Sequence, residues 1–356
     1  MSDAYLKGRG AQKNVHNRFQ EGEHIPDLEF LEYCHVEGEE PAKNKTRYVP
    51  VFPKTIVNKV NSPDVGMSHS MNPYQGCEHG CVYCYARNSH EYWGYSAGLD
   101  FERTILIKKN APELLEAKLK SKNWKAQTIV LSGNTDCYQP AEKKFELTRK
   151  CLEVFLKYKH PVGIITKNAM ILRDLDILKE LASAQLVGVN ISVTSLSEDT
   201  RRLLEPRTTT IKKRLETITQ LTENGIPVNA MLAPIIPGIN SHEILPMAKA
   251  VSNAGALAIG YTVVRLNGAI ADIFTDWLEK ALPDRADKVL NQIKECHGGS
   301  LGDSRFGDRM RGEGVFALQI KRQIALARAK HFKNKVFPKL AVEKYQKNID
   351  NQLRLF

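Results

Sequence analysis

Five short apolar runs rich in β-branched residues punctuate the chain, and longer amphipathic stretches separate them. The runs are TIVLSG (128 to 133), VGIITK (162 to 167), VGVNISVTS (187 to 195), PVNAMLAPIIPG (227 to 238) and ALAIGYTVVRL (256 to 266). Between them, APELLEAKLKSK carries Asn110 as a candidate cap and Pro112 in its first turn, and TIKKRLETITQLTENG closes on Gly225. Such punctuation is that of helices. Strand, helix, strand in repetition predicts an α/β fold with a parallel sheet covered by helices. A further strand expected just before Cys77 brings the count to six units. Six is too few for an eightfold barrel, so a partial barrel and an open doubly wound sheet both satisfy the pattern. Residues 1 to 62 read as an irregular N-terminal extension and 63 to 285 as the repeating core. Residues 286 to 356 read as a basic helical region, opened by the Gly- and Arg-rich loop GGSLGDSRFGDRMRGEG.

In either parallel architecture the functional residues gather at the C-terminal ends of the strands. The polar clusters fall there: the cysteine stretch CEHGCVYC after the first strand, SGNTDCYQP after the second, TKN after the third and SVTS after the fourth. Cys77, Cys81 and Cys84 place three thiols in one loop. Thiolates hold soft metals and iron–sulfur clusters. Three ligands on a cubane of four irons leave one iron open to a small molecule. The competing arrangement is structural zinc in a Cys3His site, with His79 or His90 as the fourth ligand. Zinc sites usually pair two separated clips, whereas these thiols share a single loop. The other cysteines, Cys34, Cys137, Cys151 and Cys296, are too scattered to suggest a second cluster. Cys151, in RKCLEVFLKY, reads as a helix core residue.

CEHGCVYC resembles the CxxxCxxC signature of the radical S-adenosylmethionine (SAM) superfamily, including the aromatic Tyr83 before the last cysteine. SGNTD occupies the place of that superfamily's Gly-rich motif after its second strand, although it departs from the common Gly-Gly-Glu. More narrowly, TDCYQPAEKKFELTR, TKNAMILRDLDIL and EPRTTTIKKRLETI…NGIPVNAMLAPIIPGIN resemble the spore photoproduct lyase-like group, often labelled DNA repair photolyase. KGRGAQKNVHNRF and DSRFGDRMRGEG look like those of a bacterial branch of it.

The resemblance implies a partial (β/α)6 barrel of TIM type and a [4Fe–4S] cluster on Cys77, Cys81 and Cys84. It further implies SAM on the open iron, its reductive cleavage, and hydrogen abstraction from substrate by a 5′-deoxyadenosyl radical. By position, Tyr83 would lie near the adenine, and Ser132, Gly133, Asn134 and Thr135 would offer acceptors to the methionine ammonium. Lys167 would pair with the methionine carboxylate, and Ser192 would bond the ribose or that carboxylate. Arg207 is a candidate for the same carboxylate or a substrate phosphate; its plain alternative is an ion pair with Glu205. Spore photoproduct lyases use a cysteine shortly before the matching aspartate as hydrogen donor. Here Gly133 stands at about that place and Cys137 follows Asp136, so spore photoproduct is not the expected substrate. Cys137 is either a donor in another reaction or a small apolar core residue.

Charge points to a partner. The formal net charge is +11, and residues 321 to 356 alone supply +8, with ten Lys/Arg against Glu343 and Asp350. That asymmetry suits a polyanion, nucleic acid above all, or else a solvated helix face. Tyr92, Trp93 and Tyr95 are candidates to stack on bases or to wall the barrel mouth. No apolar run reaches the roughly 18 residues of a membrane span. With no apolar stretch near the N-terminus, a cytoplasmic location is expected. The resemblance also implies an electron donor such as flavodoxin or ferredoxin. Three functions compete: a radical SAM enzyme acting on a nucleic-acid base, one acting on a peptide or small molecule, and a metal-stabilised nucleic-acid-binding protein.

Overall fold

The computed structural model describes residues 5–20 and 45–347. Cys34 and Arg354 lie outside the described residues. In chain order the first elements are β1 (Arg47–Val51), β2 (Val57–Lys59), β3 (His69–Met71), β4 (Tyr74–Gln75), α1 (Leu99–Arg103), β5 (Thr104–Lys108) and α2 (Ala111–Lys120). Next come β6 (Ile129–Leu131), α3 (Glu142–Phe145), α4 (Leu147–Lys157), β7 (Val162–Thr166), α5 (Leu175–Ser183), β8 (Val187–Ser192), α6 (Glu198–Leu204) and α7 (Ile211–Glu223). The last are β9 (Val228–Ile235), α8 (Ile244–Asn253), β10 (Ala258–Val263), α9 (Ile270–Ala281), α10 (Ala286–Cys296) and α11 (Gly314–His331).

The main sheet runs β10-β9-β8-β7-β6-β3-β2. Six of its strands are parallel, and β2 pairs antiparallel with β3. Successive strands add at one edge with no reversal of order, so the doubly wound alternative is set aside. One-handed crossovers in such a sheet place the helices on one face. A smaller sheet, β1-β5-β4, stands behind the cysteine loop. The strand expected directly before Cys77 is instead β3, with the two-residue β4 of the small sheet in between.

β7 and β8 are buried almost throughout, as central parallel strands between two apolar layers must be. α4 buries Leu147, Cys151, Leu152 and Phe155 on one stripe, as read for Cys151. α7 starts at Thr210, whose side chain accepts from the Lys213 amide, and Gly225 beyond its end has φ of 75°. α2 starts after Asn110 as read, but the Asn110 amide donates to Pro53 O, 3.1 Å, and caps nothing. Among the described residues, no helix is long and apolar enough to cross a membrane.

The outer edge of β10 is closed by side chains. Arg328 donates to Ile259 O at 2.9 Å, Arg311 to Tyr261 O at 2.7 Å, and the Val263 amide bonds Met310 O at 3.0 Å. Past α11 the tail crosses the N-terminal ends of the strands. Lys335 bonds Ser252 O and Ala256 O, the Ala341 amide bonds Gln185 O, Lys344 bonds Ala184 O and Lys347 bonds Lys122 O. Three of the ten cations read as a polyanion surface, Lys335, Lys344 and Lys347, are therefore tied to backbone carbonyls at the end of the sheet opposite the cysteine loop. Exposed cations remain at Lys321, Arg322, Lys330, Lys333 and Lys339.

Candidate active site

The cysteine loop leaves β4 through Gly76, at φ of 80°, where a Cβ would sit 2.6 Å from Thr104 O. Only glycine fits there. The Cys77 amide donates to Phe101 O at 2.8 Å and the Val82 amide to Leu204 O at 3.1 Å, pinning both halves of the loop. Arg87, wholly buried, fastens the rest: its guanidinium bonds Cys81 O, Ala97 O and Gly98 O and pairs with Glu102 at 2.5 Å. Cys77 and Cys81 are buried, Cys84 is half-buried, and all three are free thiols. Burial pushes each thiol above its ordinary value. A loop that holds three soft donors out of water in this way suits iron, whose charge would stabilise the thiolates.

Residues 5–20 lie against the outside of this loop. A Cβ on Gly10 would stand 1.8 Å from Gly80 O, so the two backbones touch. Glu102 accepts from the Gly10 and Ala11 amides at 3.3 and 2.8 Å, and Asn17 donates to Glu91 O and Tyr95 O. Arg207 belongs to this packing. Its amide donates to His79 O and its Nε to Gly8 O at 3.1 Å, so it joins the N-terminal segment to the loop. Glu205 pairs with Arg214 at 2.5 Å, not with Arg207.

Against the loop, the segments that follow β6 and β7 meet at Asp136. Its carboxylate accepts from Thr166 Oγ1, the Lys167 amide and the Tyr138 amide at 2.8 to 2.9 Å, and lies 3.4 Å from His79 Nδ1. Burial works to raise the Asp136 carboxyl, but His79 and these donors outweigh it and hold it at about 2. The Asn168 amide group meets His79 Nε2 at 3.2 Å. Both His79 nitrogens are thus occupied, which removes it as a fourth metal ligand. His90 is buried, stacked on Tyr95 and edge-on to Phe101.

The SGNT turn is tied mainly to β4 and the residues around the cysteine loop. Ser132, at φ of 71°, accepts from the Cys137 amide, and Gly133 O accepts from the Tyr85 hydroxyl. Thr135 donates to Tyr74 O. Asn134 spends its amide hydrogens on Gln75 and Ser89, and its Oδ1 makes no hydrogen bond among the described residues. Lys167 is half-buried at the end of β7, and among the described residues its ammonium makes no hydrogen bond or ion pair. Burial works to lower its pKa, and the negative charges of Cys81, Glu205 and Asp136 overcome this and raise it. Ser192 ends β8, with its carbonyl held by Arg214 at 3.0 Å. Tyr83 is buried with its hydroxyl on Glu205, which also accepts from Thr194 and Arg214. Burial works to raise Glu205, but Arg214 and Lys167 outweigh it, down to about 2.

Cys77, Cys81, Cys84, Asn134, Lys167 and Ser192 therefore share one end of the sheet. Cys137 does not join them: it is fully buried in the main core, its thiol pushed up by burial and Asp136. Asp136, Glu205 and the Arg87–Glu102 pair are positioning residues that sequence reading did not assign. The TD of SGNTD pointed to Asp136, but no local pattern marks the others.

A profile of the radical SAM superfamily matches residues 71–251. An uncharacterized protein of Mycobacterium bovis is 30% identical over 237 residues, 66% of this chain and 70% of that protein. An uncharacterized protein of Methanocaldococcus jannaschii is 29% identical over 250 residues, 70% of this chain and 89% of that one. The fold is similar to that of spore photoproduct lyase. One structure of a mutant superposes with a TM-score of 0.59 at 13% identity, covering 80% of this chain and 79% of the lyase. Another mutant, with bound AdoMet and dinucleoside spore photoproduct, gives 0.60 at 13% identity, covering 86% and 92%. With three free thiols on the loop that the profile spans, and this fold around them, the chain belongs to the radical SAM superfamily and is a radical SAM enzyme.

Proposed function

We propose that this chain is a partial (β/α)6 barrel in which Cys77, Cys81 and Cys84 hold three irons of a [4Fe–4S] cluster and SAM completes the fourth. The observation that carries the reading is the single loop with three free, largely buried thiols, two of which, Cys81 and Cys84, lie within electrostatic reach of the Lys167 ammonium, a group that makes no hydrogen bond or ion pair among the described residues. When bound and reduced by a donor such as flavodoxin or ferredoxin, the pair supplies a 5′-deoxyadenosyl radical that takes a hydrogen atom from substrate. The protein's part is positioning and exclusion of water. Lys167 fits the methionine carboxylate, Asn134 Oδ1 fits the ammonium, and Ser192 fits the ribose or the carboxylate. Asp136 fixes the backbone of Lys167 and the ring of His79, so both strand ends keep their register against the loop. Tyr83 anchors the cysteine loop through Glu205.

The substrate in this reading is a nucleic-acid base. Support comes from the fold shared with spore photoproduct lyase, one of whose structures holds a dinucleoside photoproduct. It also comes from an aromatic and cationic patch beside the loop: Phe19 and Tyr92 are exposed and 4.8 Å apart, with Arg18 over both rings. Such surfaces stack on bases. The test is the electron paramagnetic resonance spectrum of anaerobically purified, dithionite-reduced protein, with and without SAM. A cluster signal that shifts on adding SAM supports the reading; a silent sample carrying stoichiometric zinc overturns it.

A further inference from the structure

The Arg-rich segment from Leu301 to Gly312 is a strap between the two edges of the main sheet. At the β10 edge, Met310 O takes the Val263 amide and Leu301 O takes the Leu266 amide, at 3.0 and 2.8 Å. Asn267 and Asp303 exchange two bonds at 2.9 and 3.0 Å. At the other edge, before β3, Arg309 bonds Asp64 and Ser62, each at 2.5 Å, and the Gly307 amide bonds Asp64 at 2.8 Å. Where strap and sheet meet there is no spare volume: a Cβ on Gly302 would lie 2.9 Å from Asn267 Oδ1.

Beneath the strap, two residues past the C-terminal end of β10, stands Arg265. The carboxylates nearest to it are already engaged. Asp64 is held by Arg309, and Asp303 by Arg305 at 2.8 Å and His297 at 3.4 Å. Among the described residues no carboxylate comes within ion-pair distance of Arg265, and its guanidinium has one long contact, 3.4 Å to Asp303 O. The group is half-buried. Its pKa is lowered by burial and by the like charge of Arg309, so an anion there would relieve both desolvation and repulsion. Arg265 also lies near enough to influence Tyr85, the neighbour of Cys84, whose ring is more than half exposed. An unpaired guanidinium with a planar fork, at the cysteine-loop end of the sheet, suits a phosphate.

We propose that Arg265 is an anion subsite that binds a phosphate of the substrate, a proposal that rests on the nucleic-acid reading above. The phosphate belongs either to a phosphodiester backbone or to a free nucleotide. The test uses anaerobic, cluster-loaded protein with SAM and a fluorescein-labelled single-stranded oligodeoxynucleotide, followed by anisotropy across a range of salt. Arg265→Ala should weaken binding about tenfold and reduce the salt slope by about one. Arg265→Lys should recover the slope but only part of the affinity, and Arg322→Ala, on exposed α11, should change neither. Competition by thymidine 5′-monophosphate, lost in Arg265→Ala, identifies a free nucleotide as the source; competition by unlabelled oligonucleotide alone identifies the phosphodiester.

Unchanged affinity and slope in Arg265→Ala overturn the proposal, as does a wild-type protein that binds neither probe. So does loss, in Arg265→Ala, of the SAM-induced change in the cluster spectrum, which would assign the arginine to the cofactor carboxylate. Absence of that spectral change in the wild type instead counts against the proposed function.

Discussion

Acid should destabilise this fold through one histidine far from the thiols. His160 is fully buried at the N-terminal end of β7. Its Nε2 accepts from Trp124 Nε1–H at 3.1 Å and its Nδ1 bonds Pro161 O at 3.0 Å, a pairing that only the neutral ring with its proton on Nδ1 satisfies. Phe155 and Tyr345 pack on the ring at 5.7 and 5.2 Å. Burial depresses the pKa from 6.5 to about 4. A depressed folded-state value means that above pH 6.5 both states are neutral and the group contributes no pH dependence. Below 6.5 the unfolded chain takes up a proton that the folded chain refuses. Stability then falls by about 1.4 kcal/mol per pH unit until the folded ring protonates near pH 4, roughly 3 kcal/mol in all. Urea denaturation of wild type and His160→Gln at pH 7.5, 6.5, 5.5 and 4.5 isolates this group from every other titration. The variant should be the less stable at pH 7.5, and its deficit should shrink by about 2 kcal/mol or more by pH 4.5. A deficit that stays constant across this range would refute the reasoning.

Three further outcomes are expected. Alanine at Cys77, Cys81 or Cys84 should abolish 5′-deoxyadenosine formation measured by chromatography, and turnover in any one of them would break the cluster assignment. Gly10→Ala, with its Cβ 1.8 Å from Gly80 O, should cost about 2 kcal/mol of local stability and speed tryptic cleavage at Lys7, Arg9 and Lys13; an unaltered digestion rate would show that the segment does not rest on the loop. Removing residues 333 to 356 should lower the thermal midpoint by about 5 °C while leaving oligonucleotide affinity intact, because residues 335 to 347 within it seal the end of the sheet away from the thiols. A fall in affinity with no change in midpoint would restore the tail as the nucleic-acid surface.

The parts of this molecule legible in sequence are those whose physics is local. Residues 162 to 167 and 187 to 195 read as strands because central parallel strands are apolar on both faces. The three cysteines declared a soft-metal site by their spacing. By contrast, β3 is only His69–Met71, too short and polar to register, and the small sheet's β4 was not separable from it. Residues 5–20 read as irregular, which they are, yet they grip the cysteine loop through glycine backbones and the carboxylate of Glu102. Backbone contact leaves no periodicity to read. The TD of SGNTD pointed to Asp136 but not to its donors Thr166 and Lys167, 30 and 31 positions on, and nothing local joins Glu205 to Tyr83, 122 positions away. The packing of Arg207 is not legible in sequence, because its partner Gly8 O lies 199 residues distant.

The guarded edge of β10 bears on how this protein behaves at high concentration. A bare outer strand offers alternating carbonyls to any extended chain that arrives, and sheets can grow through such contacts into aggregates. Here the carbonyls of Ile259 and Tyr261, two residues apart as a docking strand would meet them, are already claimed by Arg328 and Arg311. An incoming strand would have to strip two charge-assisted bonds before forming its own. Arg328→Ala or Arg311→Ala should therefore first show itself as turbidity and lost yield, in a protein whose catalytic loop is untouched.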